Sequence, residues 1–252
     1  AHIYVLLNYF QMKIKLFYLV LLIFSVNFLK SQNKIKYSQA SLLGQGDSKM
    51  NITSNGLLPE VSDAFEKMKI AALNAGHDIE IVSAYRSYNR QRDIWNRKYL
   101  SNEIKGFSPV ENINKIIEYS TLPGTSRHHW GTDIDIIDGS VTKNGDVLLT
   151  EKFHGDGPYS ELRVWLEENA SKFGFLKPYS NNIDRKGFNY EPWHYSYAPI
   201  AIPMLKAYLK LDLNRLLVPE NLKGSQYITP SFIKKYIEEN ILGILSDLKR
   251  FD

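Results

Sequence analysis

"SRHHWGTDIDII", residues 126–137, decides how the chain is read. Its second half, "TDIDII" at 132–137, alternates in period two and predicts a strand. Its first half ends in Gly131 and predicts a loop feeding that strand. His128, His129, Asp133 and Asp135 fall within eight positions, so loop and strand together offer four groups able to bind a metal. Adjacent histidine side chains diverge, so at most one of His128 and His129 is a ligand. Asp133 and Asp135 share one face of the strand.

Further elements follow outward in both directions. Val61, Phe65, Met68 and Ala72 recur at helical spacing, with Gly76 as a stop. "DIEIVSAYR" alternates and predicts a strand, and Ser87 can cap a helix running to about Tyr99. "SPVE" at 108–111 is a capping box with Pro109 at the first helical position, opening a helix to about Ser120. Asp138-Gly139 and Asn144-Gly145 are turn signals that predict a hairpin region. Ser160 opens a helix closed by Gly174, "WHYSY" at 193–197 predicts a short strand, and Ile200 to Leu213 is helical. A tail helix opened by Thr229-Pro230 runs to about Leu248. Helices mixed with strands too close together for repeated βαβ units give an α+β fold, a small central antiparallel sheet with flanking helices.

The chain holds 31 Lys+Arg, 27 Asp+Glu and no cysteine. "MKIKLFYLVLLIFSVNFLKSQ" from Met12 has the basic start, apolar run and polar exit of a secretory signal. Three lysines and no acids lie in 1–31, so the remainder is nearly balanced at 28 against 27. That excludes a broad basic stripe for nucleic acid. The signal predicts an exported protein of the periplasm or cell envelope with no stable membrane span after signal cleavage, an uncleaved N-terminal anchor being the alternative. Without cysteine there is neither disulfide nor thiolate ligand, so a metal site must come from His, Asp and Glu, which suits catalytic zinc. The expected division is 1–31 for upstream residues and signal, 32–215 for the domain, and 216–252 for a helical extension packed on it.

Downstream, Glu191 and His194 stand three apart at the entry to the 193–197 strand, where His194 faces one side and Trp193 and Tyr195 the other. If the two strands pair, His128, Asp135 and His194 can converge. Two imidazoles and one carboxylate leave a tetrahedral zinc one open position for water, and Glu191 beside it can take the proton.

These residues resemble a known family. "S-x-H-x-x-G-x-x-x-D" at Ser126, His128, Gly131 and Asp135, "E-x-W-H-x-x-Y" at Glu191, Trp193, His194 and Tyr197, and "S-x-Y-R-S" at Ser83, Tyr85, Arg86 and Ser87 stand in order over roughly 57–200. They look like the zinc D-alanyl-D-alanine carboxypeptidases of the VanY type, in the wider class of vancomycin-resistance dipeptidases, lysostaphin-like enzymes and the Hedgehog signalling domain. The resemblance implies one Zn2+ on His128, Asp135 and His194, and favours Asp135 over Asp133. It implies Glu191 as general base and then acid, Arg86 as stabiliser of the oxyanion, and Ser126 as a substrate contact. Ser83, Tyr85, Gln91, Trp130 and Tyr197 are further expected contacts. The expected partner is a peptidoglycan peptide ending in D-alanine, met by a monomer. The same site could serve an L,D-carboxypeptidase or a crosslink endopeptidase, and a non-catalytic zinc module that binds the envelope is the rival from another class. The family usually has a small residue where Asp133 stands and a charged one where Ser196 stands. His129 is expected beside the metal or on the surface, and Asp133 on the surface or in a hydrogen bond.

Overall fold

The central element of the fold is the strand Asp133–Asp138 (β2), buried at every position. It pairs antiparallel with Ile79–Ser83 (β1) on one side and with His194–Tyr197 (β4) on the other. The two-residue strand Phe175–Leu176 (β3) closes the far edge, giving the order β1-β2-β4-β3. The structure, a computed structural model, describes residues 37–46, 50–217 and 221–251. The expected export signal lies outside these residues. Among the described residues no helix is long and apolar enough to cross a membrane.

The alternation in "DIDIID" divides the two faces of the sheet. Ile134, Ile136 and Tyr195 pack against Val61, Phe65, Met68 and Ala72 of helix Pro59–Asn74 (α1), together with Leu162 and Leu166 of helix Ser160–Asn169 (α4). The Val, Leu, Ile, Phe and Met side chains among them each contribute about 1.5–3 kcal/mol on leaving water, so this face anchors the fold. The opposite face carries Asp133, Asp135, His194 and Ser196. That polar face becomes the site. Ile137 continues it into a second cluster with Phe153, Tyr159 and Trp193. Trp193 therefore does not share the Tyr195 core expected for it. It lies in the turn before β4, where strand alternation does not yet apply.

Between α1 and α4, helix Tyr88–Ile104 (α2) starts where the Ser87 hydroxyl accepts the Arg90 N–H. Helix Pro109–Ile116 (α3) opens on the expected capping box, the Ser108 and Glu111 side chains each serving the other's backbone N–H. The hairpin expected after β2 does not form. Asp138 instead accepts from both the N–H and the hydroxyl of Ser140, and the Gly139 N–H donates to the Asp78 carbonyl, so the chain leaves the sheet as a loop.

Helix Ala198–Tyr208 (α5) follows β4 directly. The tail is not one helix. Pro230–Tyr236 (α6) passes into a wide turn over Ile237–Ile241, and the helical run ends before Gly243, where the carbonyls of Glu239 and Lys186 leave no room for a side chain. The tail packs through buried Ile233 and Tyr236. The Tyr236 hydroxyl accepts the Leu122 N–H at 3.0 Å and lies 3.0 Å from Thr125 Oγ1, fixing the loop that leads into residues 126–131.

Candidate metal centre and active site

Register places the site. Asp135 stands opposite His194 of β4 and Ser83 of β1, so one row across three strands presents a carboxylate, an imidazole and a hydroxyl. The pairing shifts between Ile81 and Ser83, a bulge that re-aims the end of β1 toward this row. His128 arrives from a single 3-10 turn, Arg127–Trp130, tied to the exit of β1 by the Arg86 N–H on the His128 carbonyl. Gly131 ends that turn at φ +65°, and a Cβ there would stand 2.7 Å from Ile52 Cδ1. A side chain is thus disfavoured both by conformation and by space.

The hydrogen bonds assign the ring nitrogens. His128 Nδ1 lies 2.8 Å from the Ala84 carbonyl, which can only accept, so Nδ1 carries a proton and Nε2 is the ring nitrogen that faces Asp135. That Nε2 is 3.3 Å from Asp135 Oδ2. His194 Nδ1 is 3.4 Å from Asp135 Oδ1, and the two imidazole centroids are 4.8 Å apart. One ligand atom from each of His128, Asp135 and His194 falls within 4.8 Å of the others, and all three side chains are buried.

Two observations show that this set fits a cation. Asp135 Oδ1 is buried with no hydrogen-bond partner, a costly state for a carboxylate oxygen unless a cation meets it. The metal-free His194 imidazole is also perturbed. Burial pushes its pKa down, but hydrogen bonds to Asp133 and Glu191 and the charges of Asp135 and Glu191 win, raising it to about 10. Asp135 matches this: burial alone would raise its carboxyl, yet His128, His194 and Arg86 hold it at about 2. Two imidazoles and one carboxylate are a donor set for zinc with an open position.

Glu191 sits in the turn before β4, with Oε2 2.9 Å from His194 Nδ1. Arg86 lies on the other flank, 3.8 Å from Asp135 Oδ2. One of its guanidinium nitrogens donates to Gln91 Oε1 and the other to Ser83 Oγ, both at 2.9 Å. Gln91 is itself held by the Thr121 carbonyl at 2.8 Å. These groups open onto a cleft of about 480 Å3 that Ser126, His128, Asp135, Glu191, His194 and Arg86 all reach.

Other expected contacts sit elsewhere. Ser83 and Gln91 are occupied in holding Arg86 and do not line the cleft. Trp130 is buried against Tyr208 and donates its indole N–H to the Leu42 carbonyl, which turns it away from the cleft. Tyr197 packs on Phe175 and reaches Glu60 with its hydroxyl, on the core side of the sheet. Tyr85 is half-buried, its N–H on the Gly56 carbonyl, and is also off the cleft. His129 is wholly buried rather than on the surface. Its Nδ1 donates to the Arg86 carbonyl, its Nε2 accepts the Gly124 N–H, and burial lowers its pKa to about 3. Sequence reasoning missed Lys98, Glu151 and Tyr179 on the cleft walls. The signal for Lys98 was its position seven residues after Gln91, on the same helix face.

Residues 54–200 match the VanY family, D-alanyl-D-alanine carboxypeptidase. Among curated proteins, the chain is 39% identical over 82 residues to an uncharacterized protein of Haemophilus influenzae, covering 32% of this chain and 63% of that one. It is 29% identical over 169 residues to a D-alanyl-D-alanine carboxypeptidase of Enterococcus faecalis, covering 64% of this chain and 56% of that one. The chain thus spans less than two thirds of the length of either relative. A crystal structure of a vancomycin-resistance D,D-pentapeptidase VanY mutant in complex with Zn(II) aligns with TM-score 0.50 and 25% identity, over 73% of this chain and 92% of that one.

Proposed function

The chain belongs to the VanY D-alanyl-D-alanine carboxypeptidase family, and from that premise we propose that it is a zinc metallopeptidase that removes the terminal D-alanine from peptidoglycan stem peptides or their precursors. It would act as a monomer in the cell envelope, exported by the segment from Met12. The observation that carries this reading is a buried carboxylate, Glu191, set beside the His128/Asp135/His194 cluster on the floor of an open cleft.

His128 Nε2, an oxygen of Asp135 and His194 Nδ1 would hold the ion. Zinc, when bound, supplies Lewis acidity that polarises a peptide carbonyl and makes water acidic enough to attack near neutral pH. Glu191 accepts a proton from the attacking water and delivers it to the departing amine nitrogen as the C–N bond breaks, so the released D-alanine leaves neutral at nitrogen. Arg86 directs its guanidinium at the carbonyl oxygen as charge develops there. Its clamping by Ser83 and Gln91 fixes that direction before substrate arrives, which is where such a group is most effective. Ser126, which lines the cleft near His128, would meet the substrate backbone.

The test is incubation of the zinc-loaded protein with a pentapeptide stem ending in D-alanyl-D-alanine, with products resolved by mass spectrometry. Release of one D-alanine is expected. Glu191→Gln should lower turnover by about 10²–10⁴-fold with one zinc per chain retained. A tetrapeptide stem and a crosslinked dimer in parallel reactions separate this activity from L,D-carboxypeptidase and endopeptidase action. Undiminished hydrolysis by Glu191→Gln, or cleavage of the other substrates alone, would refute the proposal.

A further inference from the structure

Among the described residues, Asp133 makes four side-chain hydrogen-bond contacts, and it is neither Asp135, which could hold the ion, nor Glu191, which could carry protons. Asp133 has no exposed surface. Its Oδ1 accepts from Thr132 Oγ1 at 2.7 Å and from Ser196 Oγ at 2.8 Å. Its Oδ2 accepts from Arg127 Nε at 2.9 Å and meets His194 Nε2 at 2.9 Å. Arg127 Nη2 also donates to Ser196 Oγ, so the three side chains form a closed ring. An ionised carboxylate only accepts. Hydroxyl donors on Oδ1 and the Arg127 guanidinium on Oδ2 leave both oxygens acting as acceptors.

We propose that Asp133 is a positioning residue for the metal: it fixes the proton of His194 on Nε2, so that Nδ1 faces the ion with its lone pair. The other tautomer would set a lone pair against a carboxylate and block Nδ1 with a proton. Arg127 neutralises Asp133 within the ring, so the imidazole gains orientation without adding net negative charge to the ligand set. Ser196 stands opposite Asp133 in the β2–β4 register and ties the ring to the strand that carries His194. This inference rests on the ligand set proposed above, but it concerns metal holding rather than the bond cleaved.

Two measurements test it, neither needing substrate. In zinc-loaded wild-type protein, long-range 1H–15N correlation should show His194 protonated on Nε2 and bare on Nδ1. A proton on Nδ1 overturns the proposal. Zinc affinity, by competition with a chromophoric chelator, should weaken about 10–100-fold in Asp133→Asn. Because an unpaired Arg127 could itself destabilise that variant, Arg127→Met/Asp133→Ala removes both charges. The double variant should regain the metal-free melting temperature of wild type while zinc affinity stays at least tenfold weak. Affinity that recovers along with stability would reduce Asp133 to a folding role and overturn the proposal. If wild type binds no zinc, the ligand reading fails and takes this one with it. Equal zinc binding by wild type and the variants sinks this one alone.

Discussion

On the proposed ligand set, zinc and a proton compete for one atom, His194 Nδ1, and the competition sets a measurable slope. His194 Nδ1 faces Glu191 and Asp135, and metal-free His194 titrates at about 10 against an ordinary 6.5. At pH 7–9 nearly every metal-free molecule therefore carries a proton that zinc must displace. One displaced proton per ion makes the apparent Kd change tenfold, about 1.4 kcal/mol, per pH unit. Binding should thus weaken about 100-fold between pH 9 and pH 7. Chelator competition at constant ionic strength reads this directly. Calorimetry in buffers of different ionisation enthalpy should count about one proton released per ion. The same proton affects the metal-free fold with a definite sign. A folded pKa raised above its unfolded value stabilises fully below about 6.5, and that stabilisation is lost as pH climbs toward 10. Metal-free stability should fall by about 1.4 kcal/mol per unit over this window, lowering Tm by about 5–10 °C from pH 7 to pH 9. The Tm gap between zinc-loaded and metal-free protein should widen in step. A Kd flat across two pH units, or a metal-free Tm rising with pH, would refute the reasoning.

Two substitutions probe other parts of the structure. Arg86→Lys keeps the charge but loses the fork that engages Gln91 and Ser83 together, so kcat/KM on the pentapeptide should fall about 10²–10³-fold with zinc content unchanged. Gly44 has φ +69°, and a Cβ there would lie 2.3 Å from His129 Nδ1. Gly44→Ala should therefore cost about 2–4 kcal/mol, read by thermal melting as a Tm lower by roughly 5–15 °C.

The parts of the molecule that follow from short-range pattern were legible in the sequence. The β2 alternation, the Ser87 and Ser108 caps and the Gly131 turn each depend on a few neighbouring residues, and the structure has them. The meeting of His128, Asp135 and His194 required only that two strands pair, and they do. Part of what was misread depends on contacts far apart in the chain, and part on local spacing. Trp130 looked like a substrate contact because it follows a candidate ligand, but its indole is taken by Leu42, 88 residues earlier. Tyr197 belongs to a family motif, yet as a strand residue its face follows from His194 by odd spacing, which puts it on the other side. Asp133 shares a face with Asp135, so periodicity could not separate a ligand from the group that orients one. Only Arg127 and Ser196 closing around it settle its surroundings.

The bond from Tyr236 to the 121–126 loop has a consequence for the order of events in folding. The residues joined are 114 and 111 positions apart. Closing so long a loop costs entropy before the contact returns anything, so such contacts form late. The sheet and its ligand row can assemble from residues 79–197, but the segment that delivers His128 stays unanchored at Leu122 and Thr125 until residue 236 has been made and docked. A refolding chain should therefore recover its sheet first and its full metal affinity second. Over that interval the sheet stands while the segment that carries His128 is still unanchored.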